Sequence, residues 1–366
     1  MNIYLFLMIE IDGSMGEGGG AIIRTALALC AVSKQPIHIF NIRVKRDRPG
    51  LQPQHLCGVE ALAEITKAKM DGSGLHAKEL TFEPKLIEGG KYRVDIGTAG
   101  STTLILQILM PAASFASGAI DVEVSGGTDN PLAPSIDFLK NVKLPTLHRM
   151  GYNGKVECLR RGHYPRGGGV IRAQIEPVER LRSINLIYSN NVNKISGVAH
   201  AIRLPEKIAT KMAHSCSKEL IRSGFTEIDI KSESYHPDHD PHMGPGAGIT
   251  IWAETELGAV IGASSHGRRG KPAEQVGREA ADNLIGQLRT GAAVDRHLTD
   301  QLIPYMALAE GTSEITSTYL TTHALTNVKL VQQILGVEFQ VDGELGKPGR
   351  IKVEGLGFKK LKHSII

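Results

Sequence analysis

The sequence predicts an α/β protein built from three repeated α+β units, with a smaller α/β domain inserted between the second and the third. Three observations carry this. Apolar residues recur in the order strand, helix, strand, helix, pair of strands, alternating in the strands and following a helical period in the helices. Glycine-rich turns fall at similar places in units of about 90 residues, and so long a period in a mixed pattern marks supersecondary units packed around one axis. The rhythm breaks between residues 184 and 274.

The elements follow in chain order. YLFLMIEIDG, with Ile9 and Ile11 in alternation, reads as a first strand that passes through a glycine turn into a helix over Gly20–Val32. PIHIFNIR is the next strand, QHLCGVEALAEITKAK the second helix, and ELTFEP and YRVDIG the closing strands. The second unit opens on GTAGSTTLILQILMPAA (Gly97–Ala113) and continues with strand IDVEVSGG, helix SIDFLKNVKLPTLHRMG and strands around KVECLRR and GGVIRAQIEP. Residues 1–183 therefore hold two units. Residues 184–274 read as the inserted domain: strand ISGVAHAIRL, helix EKIATKMAHSCSKELIRSG, strand TEIDIKSE, a polar loop, then strands GITIWAETE and AVIGASSHG. The third unit, residues 275–366, starts near AEQVGREAADNLIGQL and runs through LTDQLIPYMALAEG, EITSTYL, THALTNVKLVQQILG, VEFQVDG and RIKVEG.

Composition narrows the class. With 366 residues, 41% hydrophobic and 22% charged, the chain is ordinary for a globular protein of two or three domains. A net charge of +4 permits an anionic partner without demanding one. The four cysteines form no C-x-x-C pair, which points to reduced thiols and a cytoplasmic location. MNIYLFLMIEI lacks the basic start of a signal peptide, and Met8 offers an alternative start that would leave the first seven residues outside the protein. No apolar run reaches 18 residues, so no membrane span is expected.

The chemistry candidates begin at DGSMGEGGGAIIRTALAL (Asp12–Leu29). No Gly-Lys-Ser/Thr follows its glycines, so it is not a Walker loop. A dinucleotide site would want an acid about 20 residues on, where the basic NIRVKRDR stands instead. Glycines at a helix N-terminus still suit an anion. Glu17 in the turn has two readings, as a helix cap or as the ligand of a divalent metal bridging to phosphate. NIRVKRDRPGLQPQHL is either a solvated basic edge or a polyanion clamp of Arg43, Lys45, Arg46 and Arg48 that Arg24 can join; as a strand it would point Arg43 and Lys45 one way and Arg46 the other. VSGGTDNPLAPSIDF has helix-capping residues, RRGHYPRGGGVI is a glycine hairpin or a base-and-phosphate holder, and HPDHDPH fits no standard zinc spacing and reads as a loop. His323 stands where strand gives way to helix, a place that keeps imidazole neutral and able to attack phosphorus.

Eight stretches in order, DGSMGEGGGAIIRTAL, RPGLQPQHL, GTAGSTTLILQILMPA, EVSGGTDNPLAPSIDF, HYPRGGGVI, GKPAEQVG, HLTDQLIPYMALA and THALTN, resemble the RNA 3′-terminal phosphate cyclases of archaeal type over nearly the whole chain. The resemblance implies ATP-dependent conversion of an RNA 3′-phosphate to a 2′,3′-cyclic phosphate through a histidine–AMP intermediate, the nucleophile being His323. It implies a carboxylate near the triphosphate and its Mg or Mn ion at Glu17, and phosphate-binding arginines at Arg24, Arg43 and Arg46. Gln54 and His55 would belong to the same pocket wall. Gln107 and the run His297, Leu298, Thr299, Asp300, Gln301 match ATP-contacting positions, with Pro134 and Asp137 near the adenine or ribose. Some members have tyrosine at the place of His297. The implied partners are RNA 3′-phosphate ends and ATP, for a monomer or homodimer. The implied fold has three units of two helices on a four-stranded sheet, resembling the C-terminal domain of translation initiation factor 3. Rival readings are a non-catalytic ribosome-biogenesis relative, which would lack the histidine, an RNA-end-binding protein without an ATP pocket, and an enolpyruvyl transferase.

Overall fold

Three of the four sheets share one strand order, and their connections explain it. The computed structural model describes residues 8–360. In the first repeat β1 (Ile9–Asp12) and β2 (Ile37–Phe40) pair in parallel, as two strands joined through a helix do, here α1 (Gly20–Ser33). Then α2 (Pro53–Thr66) leads to an antiparallel pair, β3 (Lys69–Asp71) and β4 (Leu80–Glu83), and β4 docks on β2. The order is β1-β2-β4-β3.

The second repeat repeats it as β5-β6-β8-β7. It comprises β5 (Gly90–Asp95), α3 (Thr102–Ala113), β6 (Ile120–Gly126), a broken helix, β7 (Asn153–Arg160) and β8 (Gly169–Glu176). The broken helix is α4 (Ile136–Phe138), a π turn over Leu139–Lys143 and α5 (Leu144–Arg149). The third repeat starts with the short β9 (Asn185–Leu186) and resumes only after the inserted unit. Strand β9 pairs in parallel with β14 (Glu310–Ser317), with α8 (Arg296–Leu308) between them in sequence; α9 (Thr322–Leu335), β15 (Phe339–Gly343) and β16 (Gly349–Leu356) complete the sheet.

The inserted unit has a different order, β11-β10-β12-β13. Its strands are β10 (Val192–Ile202), β11 (Ile228–Ser234), β12 (Gly246–Thr255) and β13 (Val260–His266), with α6 (Lys207–Arg222) crossing from β10 to β11. Helix α7 (Ala273–Leu288) lies against α6, β12 and β13, and its Val276, Ala280 and Leu284 share a core with Ile195, Met212 and Ile249. A separate continuous core runs through the three repeats. At its centre α1 is buried nearly all round, because α2, α3 and α9 all lie against it.

The repeated α/β class is as expected, but several elements differ from the sequence reading. YRVDIG opens the second sheet instead of closing the first, since β5 pairs with β6; alternation identifies a strand but not its neighbour. The true closing strand, Lys69–Asp71, is a short edge strand with one apolar residue, Met70, facing the core. Strand β9 is too short to show any period. Helix α7, read with the third unit, packs on the inserted one, while β9, read with the inserted one, pairs with β14 of the third repeat. The basic segment after Phe40 is a series of turns, with Asn41 and Arg43 at φ 54° and 55°. The question of the first seven residues lies outside the described ones.

The first and third repeats are joined by a buried polar link. The Thr25 hydroxyl donates to Asn327 Oδ1 at 3.0 Å, and Asn327 Nδ2 donates to the Asp300 carbonyl at 2.9 Å. Asn327→Ala is expected to lower stability by about 1–3 kcal/mol, since two buried groups lose their partner. The midpoint of urea unfolding checks this, and a wild-type midpoint would show that the link contributes nothing.

Candidate active site

The glycine turn between β1 and α1 is held from outside. Asp12 accepts from the Ser14 N–H at 2.9 Å and its hydroxyl at 3.0 Å, and Lys45 Nζ donates to the Ser14 carbonyl at 2.7 Å. Gly16 adopts φ +51°, and a Cβ there would sit 2.1 Å from Thr326 Oγ1 of α9, so the turn lies directly on the helix that carries His323. No side chain caps the N-terminus of α1 and no acid lies in its first turn. The capping reading of Glu17 therefore fails. Its carboxylate instead meets Arg46 Nη2 and His323 Nε2, each at 3.2 Å.

His55 comes to the same helix end by a different route. The Gln52 N–H donates to its Nδ1 at 3.1 Å, within the cap of α2. The neutral ring then carries its proton on Nε2. That atom lies 2.4 Å from where a Gly20 Cβ would stand, so only glycine lets the ring approach. Burial, then Arg43 and Arg24, push His55 down to about 3, which keeps it an uncharged donor. An open helix N-terminus flanked by Arg24, Arg46 and His55 Nε2–H offers donors of the kind an anion takes. Arg43 supports it: Nε donates to the Gly50 carbonyl and Nη2 to the Arg48 carbonyl, both at 3.1 Å, which fixes the basic loop.

Deeper in, the repeats converge. Arg24, Gln107 and Asp300 stand in the second turn of α1, α3 and α8, the first helix of each repeat, and line one cavity of about 30 Å³. Arg24 Nε donates to Gln107 Oε1 at 3.0 Å. Burial pushes Asp300 up to about 7 against the pull of Arg24 and Lys143, and pushes Lys143 down to about 7 against the pull of Asp300. Sequence reasoning missed Lys143. Its signal was a lysine on the apolar helical stripe Leu139–Lys143–Leu147, all three buried.

Above this floor opens a cleft of about 330 Å³, within the range of small-molecule sites. Its walls include Pro131–Pro134 and Phe138 from the second repeat, Ser264 and His266 from the inserted unit, and His297, Gln301 and His323 from the third. His297 meets the edge of Phe138 with ring centroids 6.4 Å apart. His323 is the second residue of α9, after the Thr321 cap, whose hydroxyl accepts from the Ala324 N–H at 3.0 Å. Desolvation lowers its pKa, Glu17 opposes, and Arg24 and Arg46 add to the lowering, so the ring is neutral at neutral pH.

Other expected site residues lie elsewhere. Gln54 Oε1 accepts from the Ser101 N–H at 2.7 Å, tying the first repeat to the start of α3. Leu298 and Thr299 are buried, and the Thr299 hydroxyl meets the Asp295 carbonyl and Ser317 Oγ. Asp137 pairs with Arg161 at 2.8 Å, away from the cleft walls. Ser135, not Asp129 or Asn130, caps α4. In HPDHDPH, His236 and His239 are exposed and only His242 is buried, against Asp240 at 2.6 Å.

Residues 15–341 match the sequence pattern of the family described as RNA 3′-terminal phosphate cyclase. The chain is 46% identical over 354 residues to an RNA 3′-terminal phosphate cyclase from Ignicoccus hospitalis, covering 96% of this chain and 100% of that one. It is 45% identical over 350 residues to one from Methanopyrus kandleri, covering 96% and 99%, and 48% identical over 334 residues to one from Caldivirga maquilingensis, covering 91% and 94%. Among solved structures it is similar to the enolpyruvyl transferase NikO from Streptomyces tendae at 13% identity and TM-score 0.34, over 95% of this chain and 48% of that one, a likeness too low to bear on function. The match over residues 15–341 and the identity over nearly the full length lead to one statement: the chain belongs to the RNA 3′-terminal phosphate cyclase family.

Proposed function

We propose that this protein converts an RNA 3′-terminal phosphate to a 2′,3′-cyclic phosphate with ATP, through His323–AMP and an RNA adenylate. The observation that carries the reading is the placement of His323, whose Nε2 lies 3.2 Å from Glu17 beside the open N-terminus of α1.

The triphosphate lies along the glycine turn, bound by the α1 amides, Arg24, Arg46 and His55 Nε2–H, with the base in the cleft near Pro134, Phe138 and His297. His323 attacks the α-phosphorus; the bond to the β-phosphate oxygen breaks and pyrophosphate leaves. A terminal oxygen of the RNA 3′-phosphate then takes the AMP from the histidine. The 2′-hydroxyl attacks the 3′-phosphorus, loses its proton and expels AMP. Positioning and charge neutralisation supply most of the acceleration in such transfers. Glu17, a hard oxygen donor beside the glycine turn, fits a Mg or Mn ion and would hold it. Such an ion would neutralise phosphate charge. In its absence Glu17 holds Arg46 and His323.

Three outcomes test the reading. Incubated with α-labelled ATP and Mg, the wild type should retain acid-labile label after denaturation and His323→Ala none; an unlabelled wild type would sink the proposal. Arg46→Ala should raise the KM for ATP by about 10- to 100-fold, the loss of one charge-assisted hydrogen bond. The rate of adenylylation should be flat above about pH 6.5 and fall in acid, because the lowered His323 must be neutral to attack. At saturating ATP, Glu17→Gln removes a charge that raises His323, so the acid limb should move down. Arg46→Ala removes one that lowers it, so the limb should move up.

A further inference from the structure

Part of the seam between the second repeat and the inserted unit is a buried polar cluster. Arg161, 4% exposed, reaches Asp129 at 3.2 Å and Asp137 at 2.8 Å from its own repeat, and Glu233 of β11 at 2.8 Å. Three carboxylates thus face one guanidinium, an imbalance that burial makes costly. Asp129 Oδ2 is taken by the Thr128 hydroxyl at 2.6 Å and by Arg161, but Oδ1 is fully buried and has no partner.

Two imidazoles stand beside it. His163, from the β7–β8 hairpin, and His200, from β10, bring their Nε2 atoms to 3.0 Å across the seam. Both are buried, and donor atoms of Asp129, His163 and His200 all lie within 4.8 Å of one another. Ligands about 2.0–2.1 Å from one ion lie roughly 3.0–3.4 Å apart, so the imidazole pair already has the separation of two ligands on one ion. The surroundings make room for these rings. A Cβ on Gly246 would fall 2.1 Å from His163 Cδ2, and one on Gly248 would fall 3.1 Å from His200 Cε1. Burial lowers both rings, leaving them neutral as ligands must be.

We propose that Asp129, His163 and His200 bind one divalent transition-metal ion of the zinc class, which ties the inserted unit to the second repeat. Two imidazoles and a carboxylate suit zinc, cobalt or nickel, whereas magnesium prefers an all-oxygen shell. The ion would bring two positive charges to a cluster that lacks them and would give Asp129 Oδ1 its partner. It is a different site from Glu17, with different donors and a structural role.

The test uses the full chain, stripped with chelator and held in excess Mg to occupy any hard-cation site. Titration with Co²⁺ should give visible d–d bands saturating at about one equivalent and displaced by Zn²⁺. Wild type and Glu17→Gln should behave alike, while His163→Gln or His200→Gln should weaken binding at least about tenfold. Should those variants fail to fold, proton NMR of the wild type with Co²⁺ decides: shifted exchangeable imidazole N–H signals support the site and their absence overturns it. No stoichiometric Co²⁺ or Zn²⁺ on the wild type, or unchanged binding by a folded His163→Gln, would leave a histidine pair sharing a proton and refute the proposal.

Discussion

The Arg24–Gln107 hydrogen bond sits where the first helices of the repeats meet, and much of the molecule is arranged around keeping it there. A guanidinium in a largely apolar helix layer needs partners in every direction. It has Gln107 from the second repeat and the charge of Asp300 from the third. The Asp300 carbonyl is in turn fixed by Asn327, which also holds Thr25 on α1. One polar group thus makes three repeats mutually dependent, and the same group projects to the cleft floor. Stability of the helix layer and geometry of the anion site are therefore one problem. Lys143 at that floor is buried and Asp300 half-buried, and burial pushes the carboxyl up and the ammonium down.

Much of this was legible in the sequence, for identifiable reasons. Long elements with a clear period, such as Gly20–Ser33 and Thr322–Leu335, came through because an amphipathic or wholly apolar helix announces itself in composition. The glycine turn and THALTN were marked by unusual residue chemistry, and the fold brings them together at Gly16 and Thr326. Sheet membership was not legible. Whether Gly90–Asp95 closes one sheet or opens the next is decided by which backbone it meets. The fate of Glu17 was equally undecidable, since a carboxylate in a turn looks the same whether it caps a helix or faces a histidine. The family resemblance put Asp137 beside Pro134 near the base or ribose; Pro134 and Phe138 line the cleft, whereas the Asp137 carboxylate pairs with Arg161.

The inserted unit is more than an appendage. Its Ser264 and His266 stand in the cleft wall, and its β13 packs through Gly262 onto Phe138 and Val142 of the broken helix. Asp295, which caps α8, also accepts from the Gly262 N–H at 3.2 Å. The opening is consequently bounded by second repeat, third repeat and insert together, and the Arg161 cluster also joins the insert to the second repeat.

The position of that insert also affects how the chain comes into being. It occupies the connection between first strand and first helix of the third repeat, the same connection that forms the glycine turn in the first. Strand β9 must therefore wait for β14, and the Ile184 N–H finds Ser313 Oγ across 129 residues. Closing so long a loop costs only a little more entropy than a short one, but the closure cannot begin until the far end exists. During synthesis the first two repeats and the insert can be complete while the third is still an orphan strand. His323, on the last helix of the described chain, arrives last of all the groups around the cleft. A ribosome-bound or C-terminally cut chain would then hold the glycine turn and the basic loop without His323, and the cleft wall closes only at the end of translation.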